Sequence, residues 1–338
     1  MTLFSDSITR RYRTGTLRWS ENTAYSFGIG RMKAREPLFF DRSFYKRLIS
    51  VPTAQDFLRE LSETRYAEFI DRDGLNNPAQ IFSRAEETAL HFTLEYVPEE
   101  WLRTVLVLPS AVMRMKVSLK RQLGGDETHI TPPDSFVRLA LPRWVESWLA
   151  THGRTALEQA ERKGNPGFVD LYLDQQEIEL ALNCCRNRDF AWHYYRLAAD
   201  LLNLKILLRL RLMPEVPEKP SSLLVQGGGL PLAELTALVG AGDEVWSQRF
   251  RGTVFEELVQ RGLEVKINRG WFAVVEQRAR RLLVEFANRA RYVALGYEPV
   301  FRFYRLWENE ITNLRLIYGA KVTGLPATVT EELVVHAE

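Results

Sequence analysis

Asp170 and Asp174 are the side chains whose type and spacing most invite a chemical reading. Four residues apart in Asp170-Leu171-Tyr172-Leu173-Asp174, they share one helix face and would be placed to grip a divalent metal carrying a diphosphate. Such a site wants a second acidic motif, and none with a persuasive pattern is found; a solvated helix start explains the pair as well. Gly227-Gly228-Gly229 would suit phosphate cradling, but no Lys-Ser or Lys-Thr follows and no strand in a βαβ context precedes it, so it reads as a flexible joint. Gly28-Ile29-Gly30 is weaker still. His91, His129, His152, His193 and His336 are scattered, without His-Glu-x-x-His or Cys-x-x-Cys, and no Gly-x-Ser-x-Gly elbow occurs. Cys184 and Cys185 are adjacent, a poor geometry for a bridge, and read as small buried hydrophobes. No catalytic residue, cofactor or metal site is therefore expected. The pattern points to a scaffold, coupling or interaction protein, with a helical enzyme acting on a diphosphate through Asp170 and Asp174 as the alternative.

Composition narrows the class further. The 338 residues are 46% hydrophobic and 26% charged, and 45 Lys and Arg against 43 Asp and Glu leave a formal net charge of +2. That is ordinary for a chain with a sizeable core and about two or three domains, and it gives no support to nucleic-acid binding. The longest stretch free of charge, Pro220 to Ala233, holds a glycine triplet and two prolines, so no membrane-spanning helix is expected. The N-terminus carries Asp6 and lacks an apolar h-region, which argues against a secretory signal and for the cytosol. Residues 1–35 hold Arg10, Arg11, Arg13, Arg18, Arg31, Lys33 and Arg35 against Asp6 and Glu21. The plain reading is a solvated face; the functional one is contact with anionic lipid headgroups or an acidic partner, for which Arg10, Arg11 and Arg13 are the candidates.

The elements that position these residues are helical throughout. Apolar residues recur at three and four, giving an all-α reading. Thr53 opens a run whose apolar positions include Phe57, Leu58 and Leu61; Asn77-Pro78 and Asn165-Pro166 each pair a capping side chain with a proline that loses no helical bond. A segment from Pro98 should end at Gly124-Gly125 in a left-handed turn and be kinked or split at Pro109. Thr253 to Glu256 resembles a capping box. Trp271 to Leu295 reads as one long helix stopped by Gly296, and Pro299 opens another reaching about Thr323. Loops at Gly124 to Pro133 and Met213 to Pro231 mark boundaries, and divide the chain into 1–125, 126–220 and 221–338.

Self-comparison supports that division. A shift of 110 positions lays HYYRLAADLLNLKILLRLRLMP on FYRLWENEITNLRLIYGAKVTG, with Asp200 on Glu310, Asn203 on Asn313, Leu204 on Leu314 and Lys205 on Arg315. The apolar series 194, 197, 201, 204, 208, 212 becomes 304, 307, 311, 314, 318, 322, a matching stripe best explained by core packing. A weaker copy, shifted by 89, sets VMRMKVSLKRQLGG against LLNLKILLRLRLMP, with Arg114 in the asparagine slot. Three helical units of about 100 residues follow, which about a common axis would enclose a central space, a line or a compact pile being equally permitted. Each acid and asparagine lie three residues apart, on one helix side, placed either to hold a neighbouring helix end or to meet a partner.

These residues resemble the C subunit of the archaeal and bacterial V/A-type ATPases, the equivalent of the d subunit of the eukaryotic V-ATPase. The likeness starts with Ala24-Tyr25, Gly30 to Ala34, Phe44 to Leu48 and Leu61 to Tyr66. It is stronger in Glu308-Asn309-Glu310-Ile311-Thr312-Asn313-Leu314-Arg315 and Lys321 to Pro326, with Asp200 to Lys205 as the central copy, and runs from about Asn22 to Val335. The resemblance implies a funnel of three similar domains about a pseudo-threefold axis, seated on the membrane proteolipid ring and receiving the foot of the central stalk. It further implies no nucleotide, cofactor or catalysis of its own, torque transmission for ion transport, and a peripheral place on the cytoplasmic face of the membrane. The implied partners are central-stalk subunits and the proteolipid ring, with the large membrane stator subunit as a further neighbour. Asp200, Asn203, Lys205, Glu310, Asn313 and Arg315 become structural or interface residues of the family motif.

Overall fold

Helix starts follow the capping chemistry in the sequence. In a computed structural model that describes residue 12 and residues 16–70, 78–124, 141–213, 219–264 and 271–337, the Asp41 carboxylate accepts from the Phe44 amide at 2.8 Å and the Thr53 hydroxyl from the Asp56 amide at 3.1 Å. The early helices are α1 (Ser26–Arg35), α2 (Arg42–Ser50), α3 (Ala54–Ser62) and α4 (Pro78–Leu94). Next come α5 (Glu100–Leu123), α6 (Arg143–Lys163), α7 (Gly167–Cys185) and α8 (Asp189–Leu210). The rest are α9 (Leu232–Thr236), α10 (Asp243–Phe250), α11 (Glu256–Leu263), α12 (Trp271–Asn288), α13 (Glu298–Thr323) and α14 (Ala327–Leu333). Short 3₁₀ turns join some of them, and no strand occurs among the described residues. The chain is all-α.

Two compact units divide these helices: Met1–Arg18 with Pro98–Thr253, and Trp19–Val97 with Val254–Glu338. In the first, α7 packs against α5, α6 and α8, and α9 rests on α8. In the second, α13 is the hub, touching α1, α3, α4, α12 and α14, while α11 packs on α12 and α14 on α2. The two repeat helices are thus α8 and α13, one in each unit, and most of each is buried. The stripe is core up to its end: Leu212 and Val322, its last members, are more than half exposed.

Several expected boundaries shift, each for a local reason. The run opened by Thr53 ends at Ser62, and Thr64 starts a separate 3₁₀ turn by accepting from the Tyr66 amide at 3.2 Å. Helix α5 passes Pro109 without splitting. Proline cannot donate to the Val105 carbonyl four residues back, and the Tyr195 hydroxyl donates there instead, at 3.0 Å. Gly124 ends α5 at φ −80°, outside the left-handed region that Gly164 and Gly324 adopt at the ends of α6 and α13, and Gly125, the other half of the expected turn, lies outside the described residues. Thr253 donates its hydroxyl to the Phe250 carbonyl at 2.7 Å, and α11 begins at Glu256. Helix α12 stops at Asn288, well before Gly296. There the Asn288 side chain donates to the Ala337 carbonyl at 2.8 Å and accepts from Arg302 Nε at 3.0 Å, fixing the point where the chain turns away.

Candidate functional site

Asp200 and Asn203 lie one turn apart on α8 and neither is exposed to solvent. Asn203 Oδ1 accepts from the Val225 amide at 2.7 Å and its Nδ2 donates to the Val225 carbonyl at 2.9 Å. Asp200 takes three donors: the Gly229 amide at 2.8 Å, the Leu230 amide at 3.0 Å and the Tyr12 hydroxyl at 2.7 Å. The extended stretch after the 3₁₀ turn Pro220–Leu223 is thereby held at two levels of one helix face. Burial pushes the Asp200 pKa up to about 6, and burial with the neighbouring Asp200 raises that of Tyr12.

Glu310 and Asn313 repeat the arrangement on α13. The Asn313 side chain accepts from the Val335 amide at 3.1 Å and donates to the Val335 carbonyl at 2.8 Å, just past the end of α14. Glu310 accepts from the Phe40 amide at 2.8 Å, from the Tyr66 hydroxyl at 2.7 Å and from Arg65, with which it forms an ion pair. Burial raises its pKa against the pull of Arg65. Arg280 adds donors to Asn313 Oδ1 at 3.0 Å and to the Leu333 carbonyl at 2.9 Å, and burial brings its pKa down to about 10. Asn309 donates to the Val335 carbonyl as well, at 2.9 Å.

The remaining sequence candidates separate. Lys205 is half-buried, and Arg315 pairs with Glu86 at 2.7 Å on the surface. Arg10, Arg11 and Arg13 lie outside the described residues. Asp170 and Asp174 do share a face of α7, but each is answered by a lysine of α5, Lys120 and Lys116 respectively. Among the described residues no group of three or more His, Cys, Asp or Glu is gathered as metal ligands. The glycine triplet is no flexible joint: a Cβ at Gly228 would meet Asp200 Oδ1 at 2.1 Å, and one at Gly229 would meet Tyr12 Oη at 2.4 Å. The loop fits a carboxylate closely, and the carboxylate belongs to the chain itself. On α5, the weaker third copy, Ala111 stands at the acid position and Arg114 at the asparagine position, and the stretch 22 residues further on lies outside the described residues.

Tyr12, Tyr66, Val225 and Val335 escape a reading of the sequence confined to the repeat helices, although Val225 and Val335 are themselves 110 residues apart. Two buried acid–amide clamps hold backbone in place.

The family model for the ATP synthase (C/AC39) subunit matches residues 140–333, more than half of the chain. The chain belongs to the ATP synthase (C/AC39) subunit family, which includes the V-ATPase d subunit and its A-type equivalent. The matched stretch contains both clamp helices and begins beyond α5, the helix that lacks the motif. Membership makes the chain a component of a rotary ATPase. No curated protein matches it. Among the described residues no helix is long and apolar enough to cross a membrane.

Proposed function

We propose that this protein is the non-catalytic coupling piece of its rotary ATPase, joining the central shaft to the membrane proteolipid ring and transmitting torque for ion transport. The observation that carries the reading is the family match across both repeat helices. The clamps support it: a part that carries torque needs loops that do not yield, and here extended backbone is tied to helix cores by buried bonds rather than left to solvent. The arrangement that goes with this role is a three-unit funnel about a pseudo-threefold axis, with units at 1–125, 126–220 and 221–338. Its partners are the central-stalk subunits, the proteolipid ring and the large stator subunit, and its place is peripheral on the cytoplasmic face. The diphosphate alternative finds no support in the site, because the lysines of α5 already neutralise Asp170 and Asp174.

The deciding experiment tags the chain at its native level, solubilises membranes gently and identifies what co-purifies. Stoichiometric recovery with proteolipid ring and central-stalk subunits is expected. A ring-free protein, recovered while the ATPase itself is intact, would overturn the reading.

A further inference from the structure

Helix α1 turns Gly28, Ile29 and Met32 inward and leaves Phe27, Gly30, Arg31 and Ala34 exposed on its outer side. It is pressed so close to Tyr96 that a Cβ at Gly28 would meet the tyrosine Cβ at 2.4 Å. The Phe27 ring meets the Tyr96 ring edge-on, 5.8 Å between centroids, and is still 74% exposed. Beside α1, and antiparallel to it, runs the turn from Arg291 to Gly296. It is tied at both ends: Lys33 Nζ donates to the Arg291 carbonyl at 3.0 Å and the Gly296 amide to the Asn22 carbonyl at 3.2 Å. The turn carries the exposed Leu295 and Tyr292, the latter 89% exposed with the Arg291 guanidinium 5.7 Å from its ring centre. The two segments that build this surface, 22–35 and 288–297, hold five bases, Arg31, Lys33, Arg35, Arg289 and Arg291, and no acid. Of the acids bordering them, Glu36 is paired with Lys33 and Arg302, and the Glu298 carboxylate accepts from the Ser20 amide. Glu21 and Glu95 are exposed one residue outside Asn22 and Tyr96.

We propose that this surface, α1 with the Arg291–Gly296 turn, rests on an anionic phospholipid bilayer. The inference depends on the reading of the chain as a peripheral part of a membrane complex, and adds to it a contact with lipid itself. Charge complementarity selects the occupant. Arg31 and Arg291 are placed for headgroup phosphates, and basic residues near an anionic leaflet each add to the attraction. The phenol of Tyr292 has an apolar body and a polar tip, the combination that sits at the boundary between headgroup and acyl chain, and Phe27 and Leu295 supply apolar surface to the same depth. Single aromatic rings standing out among bases suit a deformable, phosphate-lined surface, which needs no pocket shaped to receive them.

Co-sedimentation of the full chain with vesicles reads the contact without a ring or a shaft being present, so it fails or succeeds independently of the co-purification that tests the coupling role. Binding is expected to vesicles of phosphatidylcholine and phosphatidylglycerol in two-to-one ratio, to weaken with added salt, and to be absent on phosphatidylcholine alone. Arg31→Gln with Arg291→Gln should weaken it about twentyfold, and Phe27→Ser with Tyr292→Ser about tenfold. These side chains are exposed, and an unchanged melting temperature verifies the fold; should a pair not fold, Arg31→Gln alone carries the test with a loss of about fivefold. The same losses are expected in a background with Arg10, Arg11 and Arg13 changed to Gln, which removes the other basic run of the chain. Absence of binding to the anionic vesicles, binding that survives either pair, or binding that vanishes in the Arg10, Arg11 and Arg13 background would overturn the proposal. Loss in the arginine pair with none in the aromatic pair would do so by making the surface a general anion contact, such as one for an acidic protein.

Discussion

Asn313 and Val335 exchange two hydrogen bonds, side-chain amide against backbone peptide, and they stand 22 residues apart, as Asn203 and Val225 do in the other unit. A primary amide carries one donor and one acceptor side by side, which is what a single extended residue presents along one edge. In a fold with no sheet among its described residues, each asparagine stands in for the neighbouring strand that a buried extended segment would otherwise need. The acid one turn earlier then takes further backbone amides and a tyrosine hydroxyl. Each unit thus closes its loops on its most buried helix.

Replacing Asn203 with Ala should cost about 2–4 kcal/mol, because both the Val225 amide and carbonyl lose their partner in a dry site. Asn313→Ala should fall in the same range by a different route. Val335 keeps the Asn309 donor, but Arg280 loses an acceptor. Asn203→Asp should be no milder than Asn203→Ala, since it sets an oxygen against the Val225 carbonyl. Denaturant unfolding of the variants checks these values; a loss under about 0.5 kcal/mol for Asn203→Ala would mean that the segment is held by other contacts.

How far the sequence led is clear from these residues. The repeat was legible because Asp200, Asn203, Glu310 and Asn313 interrupt otherwise apolar helices at equal spacing, and a buried polar group in a repeat implies a bond it must make. Its partners were not, because Val225 and Val335 contribute only backbone, and a peptide group leaves no mark in composition. The glycine triplet was misread because flexibility and close approach use the same residue: only the position of Asp200 shows that a Cβ has nowhere to go. Helix ends failed where tertiary bonds outweighed local preference, as when Asn288 stopped α12 to serve Ala337 and Arg302.

Two glycine substitutions should therefore behave in opposite ways. Gly228→Ala drives a methyl into Asp200 Oδ1, whose own bonds hold it in place, and should destabilise by about 2 kcal/mol or more. Gly30→Ala, exposed on α1 with nothing within 4 Å of its Cβ, should stabilise by about 0.5–1 kcal/mol. Thermal unfolding of the pair distinguishes them, and a neutral Gly228→Ala would show that the loop yields as a joint does.

Tyr195 and Pro109 should be coupled. Tyr195→Phe takes a donor from the buried Val105 carbonyl and should cost about 1–2 kcal/mol. In a Pro109→Ala background the helix supplies its own N–H to that carbonyl, so the same tyrosine substitution should cost about 1 kcal/mol less. A double-mutant cycle by denaturant unfolding measures the difference. Additive costs would show that the hydroxyl does not compensate for the proline.

The carboxylates that first suggested chemistry supply the sharpest functional prediction. If Asp170 and Asp174 serve only to join α7 to α5, magnesium with inorganic diphosphate should leave the melting temperature unchanged. The two substitutions should then differ in stability alone. Asp170 and Lys120 are both about two-fifths exposed, and Asp170→Ala should cost under about 1 kcal/mol. Lys116 is only 10% exposed, and removing its partner with Asp174→Ala strands a mostly buried ammonium, so that loss should be the larger by about 1 kcal/mol or more. Titration calorimetry with magnesium diphosphate completes the test. Saturable heat that disappears in Asp170→Ala would return the pair to ligand binding and reopen the enzymatic alternative, whereas flat heats with unequal stability losses make it a structural cross-link in a coupling protein.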